Sequence, residues 1–134
     1  MSSDLPMTDD KPVVAVTGAS RGIGHAIVKE FHSAGWEVMT LARTPFSQVC
    51  PWAEGIVKHI EVDLGNEAAI LEACTTLRDR LGDRGLSALV NNAGISPKDE
   101  SGGRLSAMAT SFDTWHAVQM VNLTGPLILC QQLL

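Results

Sequence analysis

Residues 17–24 read Thr17-Gly18-Ala19-Ser20-Arg21-Gly22-Ile23-Gly24. Before them stands Val13-Val14-Ala15-Val16, β-branched and small apolar residues without a break. That is the composition of a strand buried on both faces. After them, residues 25–34 place Ile27, Val28 and Phe31 on one helical face, and Gly35 ends the pattern. The segment therefore joins a strand to a helix, which is the context a phosphate-binding turn needs. Gly18 permits the tight turn, Gly22 keeps a β-carbon away from an approaching pyrophosphate, and Gly24 lets the helix pack closely on the strand. The helix start then offers unpaired N–H groups and a partial positive charge to the phosphates. Glycines that merely build a corner would read the same way, so the remaining segments must supply the discrimination.

Outward from the turn, strand and helix patterns alternate. Residues 36–42 predict a second strand, 44–55 a loop with Pro45 and Pro51, and 56–62 a third strand. Asn66 predicts an N-cap for a helix over 67–81, with Ile70, Leu71, Cys74, Leu77 and Leu81 at helical spacing. Residues 86–90 predict a fourth strand and 94–109 a long polar loop. A last helix is expected from near Ser111 to Leu134, kinked at Gly125-Pro126. Residues 1–11 are polar and acidic and are expected to form a flexible tail. The alternation predicts an α/β fold: a doubly wound parallel sheet, Rossmann-like, occupying residues 12–134.

Composition narrows the function. The 134 residues are one domain's worth, and 45% are apolar. The net charge of −5 and 4% aromatics argue against nucleic acid, which needs a basic face. No apolar run approaches the roughly 20 residues needed to span a bilayer, and no secretory pattern opens the chain. Cys50, Cys74 and Cys130 are odd in number and far apart. They suit free thiols in a reducing cytoplasm better than a disulfide framework or a metal site.

Further segments fall into place beside the glycine turn. Asn91-Asn92-Ala93-Gly94 follows the fourth strand, Val62-Asp63-Leu64 ends the third, and Val121-Asn122-Leu123 lies in the last helix. With the G-x-x-x-G-x-G spacing of Gly18, Gly22 and Gly24, this set resembles the short-chain dehydrogenase/reductase family. The resemblance implies a strand order 3-2-1-4 and an oxidoreductase that moves hydride between a nicotinamide cofactor and a carbonyl or alcohol. It implies that Ser20, Arg21 and Ile23 contact the cofactor's phosphates and ribose. Asp63 would accept from the adenine amino group, beside the backbone of Leu64, although a helix-capping role is the competing reading. Asn91 would brace the central strands, and Ala93 and Gly94 would line the path to the nicotinamide. Asn122 would hold a water in the proton relay to the family's catalytic lysine, a role compatible with steadying the helix kink.

The second strand bears on which nicotinamide cofactor fits. A carboxylate at its end would bind the ribose 2′-OH of NAD, yet no Asp or Glu lies between Val38 and Gln48. Ala42 stands where the family's NAD enzymes usually place the acid, and Arg43 follows. Arg21 and Arg43 together suit a 2′-phosphate, so NADP is expected over NAD.

The family's acid/base tyrosine and lysine, and its substrate-orienting serine, follow the asparagine helix. The sequence contains no tyrosine. It is expected to be the cofactor-binding part of a longer enzyme, with the later strands missing and no turnover of its own. A non-catalytic nucleotide-binding or regulatory module, and an interaction subunit pairing with a full-length relative, are the alternatives. Self-association through the C-terminal helix is expected. His25, His32, His59 and His116 show no useful sequence spacing to an acid or nucleophile and read as ordinary surface or helix residues.

Overall fold

The computed structural model describes residues 11–20, 22–48 and 50–134. The expected flexible tail, apart from Lys11, and Arg21 lie outside the described residues. Strands β1 (Val13–Thr17), β2 (Glu37–Ala42), β3 (Lys58–Glu61) and β4 (Ala88–Val90) form one parallel sheet in the order β3-β2-β1-β4. That is the predicted doubly wound arrangement.

β1 is buried at every residue. Its alternation feeds two cores, because successive side chains point to opposite faces. Val13 and Ala15 join Met39, Leu41 and Ile60 on one face. Val14 and Val16 join Val38, Phe46 and Val57 on the other. The first face is covered by helix α2 (Glu67–Leu81), whose Ile70, Ala73, Cys74, Leu77 and Leu81 form one buried stripe. Burying each such Leu or Ile contributes roughly 1.5–3 kcal/mol. The second face is covered by helix α1 (Gly22–Ser33) and by the β2–β3 connection.

Several boundaries differ from expectation for local reasons. α1 begins at Gly22 rather than residue 25, so the glycine turn itself forms the first helical turn. Gly35 (φ 87°) closes it: Gly35 N–H donates to His32 O and Trp36 N–H to Phe31 O, the paired bonds of a Schellman cap. Trp36 is thus part of the cap, and β2 starts one residue later. β3 starts at Lys58 rather than 56 because the N–H groups of Ile56 and Val57 both donate to Ala53 O. α2 has the predicted bounds, with Asn66 Oδ1 accepting from Ala69 N–H at 2.9 Å.

The last helical region departs most. Helix α3 (Phe112–Gln119), capped by Ser111, passes into a π-helical turn over Met120–Thr124 and continues as helix α4 (Gly125–Leu133). The distortion therefore lies one turn before Gly125-Pro126. Pro126 has no N–H to donate and its ring crowds the carbonyl four residues back. A widened turn, with Gly125 N–H donating to Met120 O, fits that constraint. A β-carbon on Gly125 would stand 2.9 Å from Met120 O and 3.4 Å from both Leu64 O and Ile70 Cδ1, so glycine also allows the helix to seat on its neighbours.

Candidate active site

The chain leaves β1 toward β2 and β3, then recrosses to β4 on the other side of β1. In open α/β sheets ligands bind at such a switch point, beyond the carboxyl ends of the strands. A cleft of about 950 Å³ opens at that place. The cleft is lined from β1's end by Gly18, Ser20, Gly22 and Ile23, and from β2's end by Ala42, Arg43 and Thr44. Asp63, Leu64 and Gly65 line it after β3, Asn92 to Ile95 after β4, and Ala117 and Val121 close it from the last helical region.

The glycine turn is fixed from beneath. Thr17 Oγ1, buried, accepts the N–H of Asn92 at 3.1 Å and of Ala93 at 3.0 Å. Asn92 Nδ2 donates to Gly18 O at 3.0 Å. Gly18 takes a φ of 64° and lies so close to Ala93 that a β-carbon would stand 2.7 Å from its Cα. A β-carbon on Gly24 would stand 2.4 Å from Asn92 Nδ2 and 2.6 Å from Gly18 O. Its close approach is therefore to the turn and the Asn92 amide, rather than to the strand. Gly22 (φ 61°) has open space where its β-carbon would project, which leaves bare backbone at the cleft. An extended phosphate ester fits this arrangement: wide cleft, bare glycine backbone and a helix start at one wall.

Arg43 is exposed and is the one cation among the described lining residues; Asp63 is the one anion. Asp63 Oδ1 accepts from Gly65 N–H at 2.8 Å, forming a local turn. The helix cap falls to Asn66, not Asp63. Leu64 sends its side chain into the core.

Three of the expected and described site residues stand outside the lining: Gly24, which packs beneath the turn, Asn91 and Asn122. Asn91 is exposed, its amide 3.7 Å from Cys130 Sγ. The tie between β1 and the β4 loop is made instead by Asn92 and Thr17. Asn122 sits within the π turn at the cleft's border, its Oδ1 near where a β-carbon on Gly94 would be. Its amide clamps Ile95: Oδ1 accepts Ile95 N–H at 2.8 Å, and Nδ2 donates to Ile95 O at 2.9 Å.

The comparisons with known proteins agree with this geometry. The short chain dehydrogenase family model matches residues 12–134. The chain belongs to the short-chain dehydrogenase family. It is 48% identical over 122 residues to Protein FixR of Bradyrhizobium diazoefficiens, covering 90% of this chain and 44% of that protein. Among solved structures, a short-chain dehydrogenase/reductase from Brucella ovis, in complex with a partially ordered NAD, shows 46% identity and a TM-score of 0.85. That match covers 92% of this chain and 56% of that one. A metagenomic short-chain oxidoreductase in complex with NADP shows 30% identity and a TM-score of 0.75, over 90% of this chain and 54% of its own. This short-chain dehydrogenase sequence thus spans about half the length of the relatives it matches.

Reasoning from sequence passed over Thr17 and Asn92 as site residues. Both stood in the quoted motifs, and the available signal was a hydroxyl ending a wholly apolar strand. It also missed a pairing. His25 Nε2 lies 2.8 Å from Cys50 Sγ, and His59 sits half-buried in β3 rather than on a surface or helix. The first contact arises because the β2–β3 connection folds back over α1, which no local spacing reveals.

Proposed function

We propose that this chain supplies the NADP(H)-binding portion of a short-chain oxidoreductase acting on a small carbonyl compound or secondary alcohol. The observation that carries the cofactor choice is the rim after β2. Arg43 and Thr44 line the cleft there beside Ala42, and no carboxylate occurs between Val38 and Gln48. A guanidinium without a competing acid suits a ribose 2′-phosphate. Arg21, in the glycine turn, is assigned to the same phosphate from its sequence position.

When bound, the dinucleotide supplies hydride exchange at its nicotinamide ring. The protein's part is to hold it. Gly18, Ser20, Gly22 and Ile23 present backbone and the start of α1 to the phosphates, while Gly24 keeps that turn tight against Asn92. Asp63 would accept from the adenine amino group, with the Leu64 backbone beside it. Ala93 and Gly94 flank the ribose and nicotinamide path. Asn91 steadies the β4 loop against α4, and Asn122 fixes Ile95 at the cleft's inner border and serves the proton relay. The 134 residues include no tyrosine, so they bind cofactor without supplying the family's acid/base pair.

NAD is the second reading, favoured by its presence in the Brucella ovis relative. Steady-state kinetics of the enzyme with both cofactors decides: a higher kcat/KM with NADPH is expected, and a higher value with NADH overturns the assignment. The proposal includes self-association through the C-terminal helical region, supported by exposed Trp115, Leu123, Leu127 and Leu134. It also includes a cytoplasmic location, supported by three free cysteines. Among the described residues no helix is long and apolar enough to cross a membrane.

A further inference from the structure

The β2–β3 connection, residues 43–57, carries a cluster that the cofactor reading does not use. Phe46 is 1% exposed and stacks on the His25 ring, with centroids 4.9 Å and planes 26° apart. His25 Nε2 lies 2.8 Å from Cys50 Sγ. Cys50 is held by its backbone: its N–H donates to Phe46 O at 3.0 Å, and its carbonyl accepts from Ala53 N–H at 2.9 Å. Trp52 stands edge-on to Phe46 at 6.1 Å. A thiol within hydrogen-bond reach of an imidazole, with that ring fixed by a third group, is the geometry in which a base can take the proton of a sulfur nucleophile.

The cluster is mechanically tied to the cleft. One residue, Pro45, separates Phe46 from Thr44, and Thr44 and Arg43 both line the cleft. Proline fixes its own φ, so that link is stiff. Phe46 and Cys50 also share a core cluster with Ala19, which lies between Gly18 and Ser20 of the glycine turn.

We propose that Cys50, with His25 as its base, is a peroxide-modified thiol whose oxidation loosens the cofactor rim at Arg43. His25 takes the thiol proton, and the thiolate attacks one oxygen of a hydroperoxide. The S–O bond forms as the O–O bond breaks. The departing oxygen collects the proton from His25 and leaves as water or an alcohol. Cysteine is oxidised by two electrons to the sulfenic acid, and the peroxide is reduced by two. Cys50 is 7% exposed, which favours a reagent the size of hydrogen peroxide over bulky thiols. The added oxygen enters a cluster already filled by Phe46, Ala53 and Val57. Overpacking of that kind displaces neighbours, and the neighbour here is the segment leading to Arg43.

The effect on the rim rests on the NADP(H) reading; the reactivity of Cys50 does not. The protein expressed from its own gene is treated with hydrogen peroxide for timed intervals, quenched with catalase, unfolded in denaturant containing dimedone so that the trap reaches every sulfenic acid, and mapped by peptide mass spectrometry. Cys50 should label faster than Cys130, although Cys130 is the more exposed. His25→Gln should slow labelling of Cys50 by about tenfold or more, as loss of a general base does. If that variant fails to melt cooperatively, the wild-type comparison of Cys50 with Cys130 decides alone. Oxidised protein should bind NADPH about tenfold more weakly, with recovery after reduction and no change in a Cys50→Ala variant. Equal labelling of Cys50 and Cys130, a folded His25→Gln variant with unchanged labelling, or oxidised Cys50 with unaltered NADPH affinity would each overturn the proposal. If untreated protein binds neither NADPH nor NADH, the cofactor reading and the rim effect both fail, and labelling still judges the thiol.

Discussion

A methyl group at position 24 has nowhere to go. Gly18 O is backbone, and Asn92 Nδ2 is engaged with that same oxygen. Overpacking a site of this kind costs about 1–3 kcal/mol, so Gly24→Ala should lower the thermal midpoint and weaken dinucleotide binding together. Calorimetric melting with and without NADPH checks both. Arg43 behaves differently, because it is exposed and its replacement should leave the fold intact. On the proposed NADP(H) reading, Arg43→Asp would remove a charge-assisted bond of about 1.5–3 kcal/mol and install a carboxylate suited to a 2′-OH. NADPH affinity should fall roughly ten- to a hundredfold while NADH affinity rises; unchanged NADPH binding would show that Arg43 does not touch the phosphate. At this scale the glycines were legible because each answers a steric demand that no other residue meets. Thr17 and Asn92 were not, since a hydroxyl and an amide acquire their partners only when β4 arrives beside β1.

Elements closed by their own residues were the legible ones. Asn66 and Gly82 bracket α2, and its apolar stripe is regular. The kink expected at Gly125-Pro126 takes the form of a π turn at Met120–Thr124, because a proline's effect is felt in the preceding turn, where Asn122 sits. The contact of His25 with Cys50 was invisible because it depends on the path of a loop between two strands. β3 supplies a test of its own. Burial lowers the His59 pKa from the ordinary 6.5, outweighing the favourable influence of Glu61. Its Nδ1 lies 2.8 Å from Thr40 Oγ1. The folded state therefore resists a proton that the unfolded chain accepts, and stability should fall as pH drops below about 6.5. In His59→Gln that acid-side slope should flatten. Thermal melts across this range compare the two, and identical slopes would exclude His59 as the cause. Asn122→Ala should release the Ile95 backbone at a cost of about 0.5–1.5 kcal/mol per bond. Amide hydrogen exchange at residues 93–96 should quicken, whereas unaltered exchange would show that the clamp is not what orders the loop.

For the whole molecule, two apolar layers hold a parallel sheet rigid while its carboxyl edge opens into the cleft. The doubly wound order followed from alternating strands and helices, and the family from four short motifs. Substrate choice was not legible, because no side chain in the cleft's described lining marks a substrate class. Purified as these 134 residues, the chain should give no turnover with a panel of carbonyl substrates, there being no tyrosine to move the proton. It should self-associate by light scattering through the exposed apolar face of α3 and α4. The central claim is that this sheet end holds a dinucleotide with a 2′-phosphate. Parallel fluorescence titrations of the protein with NADPH and NADH at one salt concentration test it most directly. NADPH should bind about tenfold tighter or better; tighter binding of NADH, or binding of neither, would contradict the account.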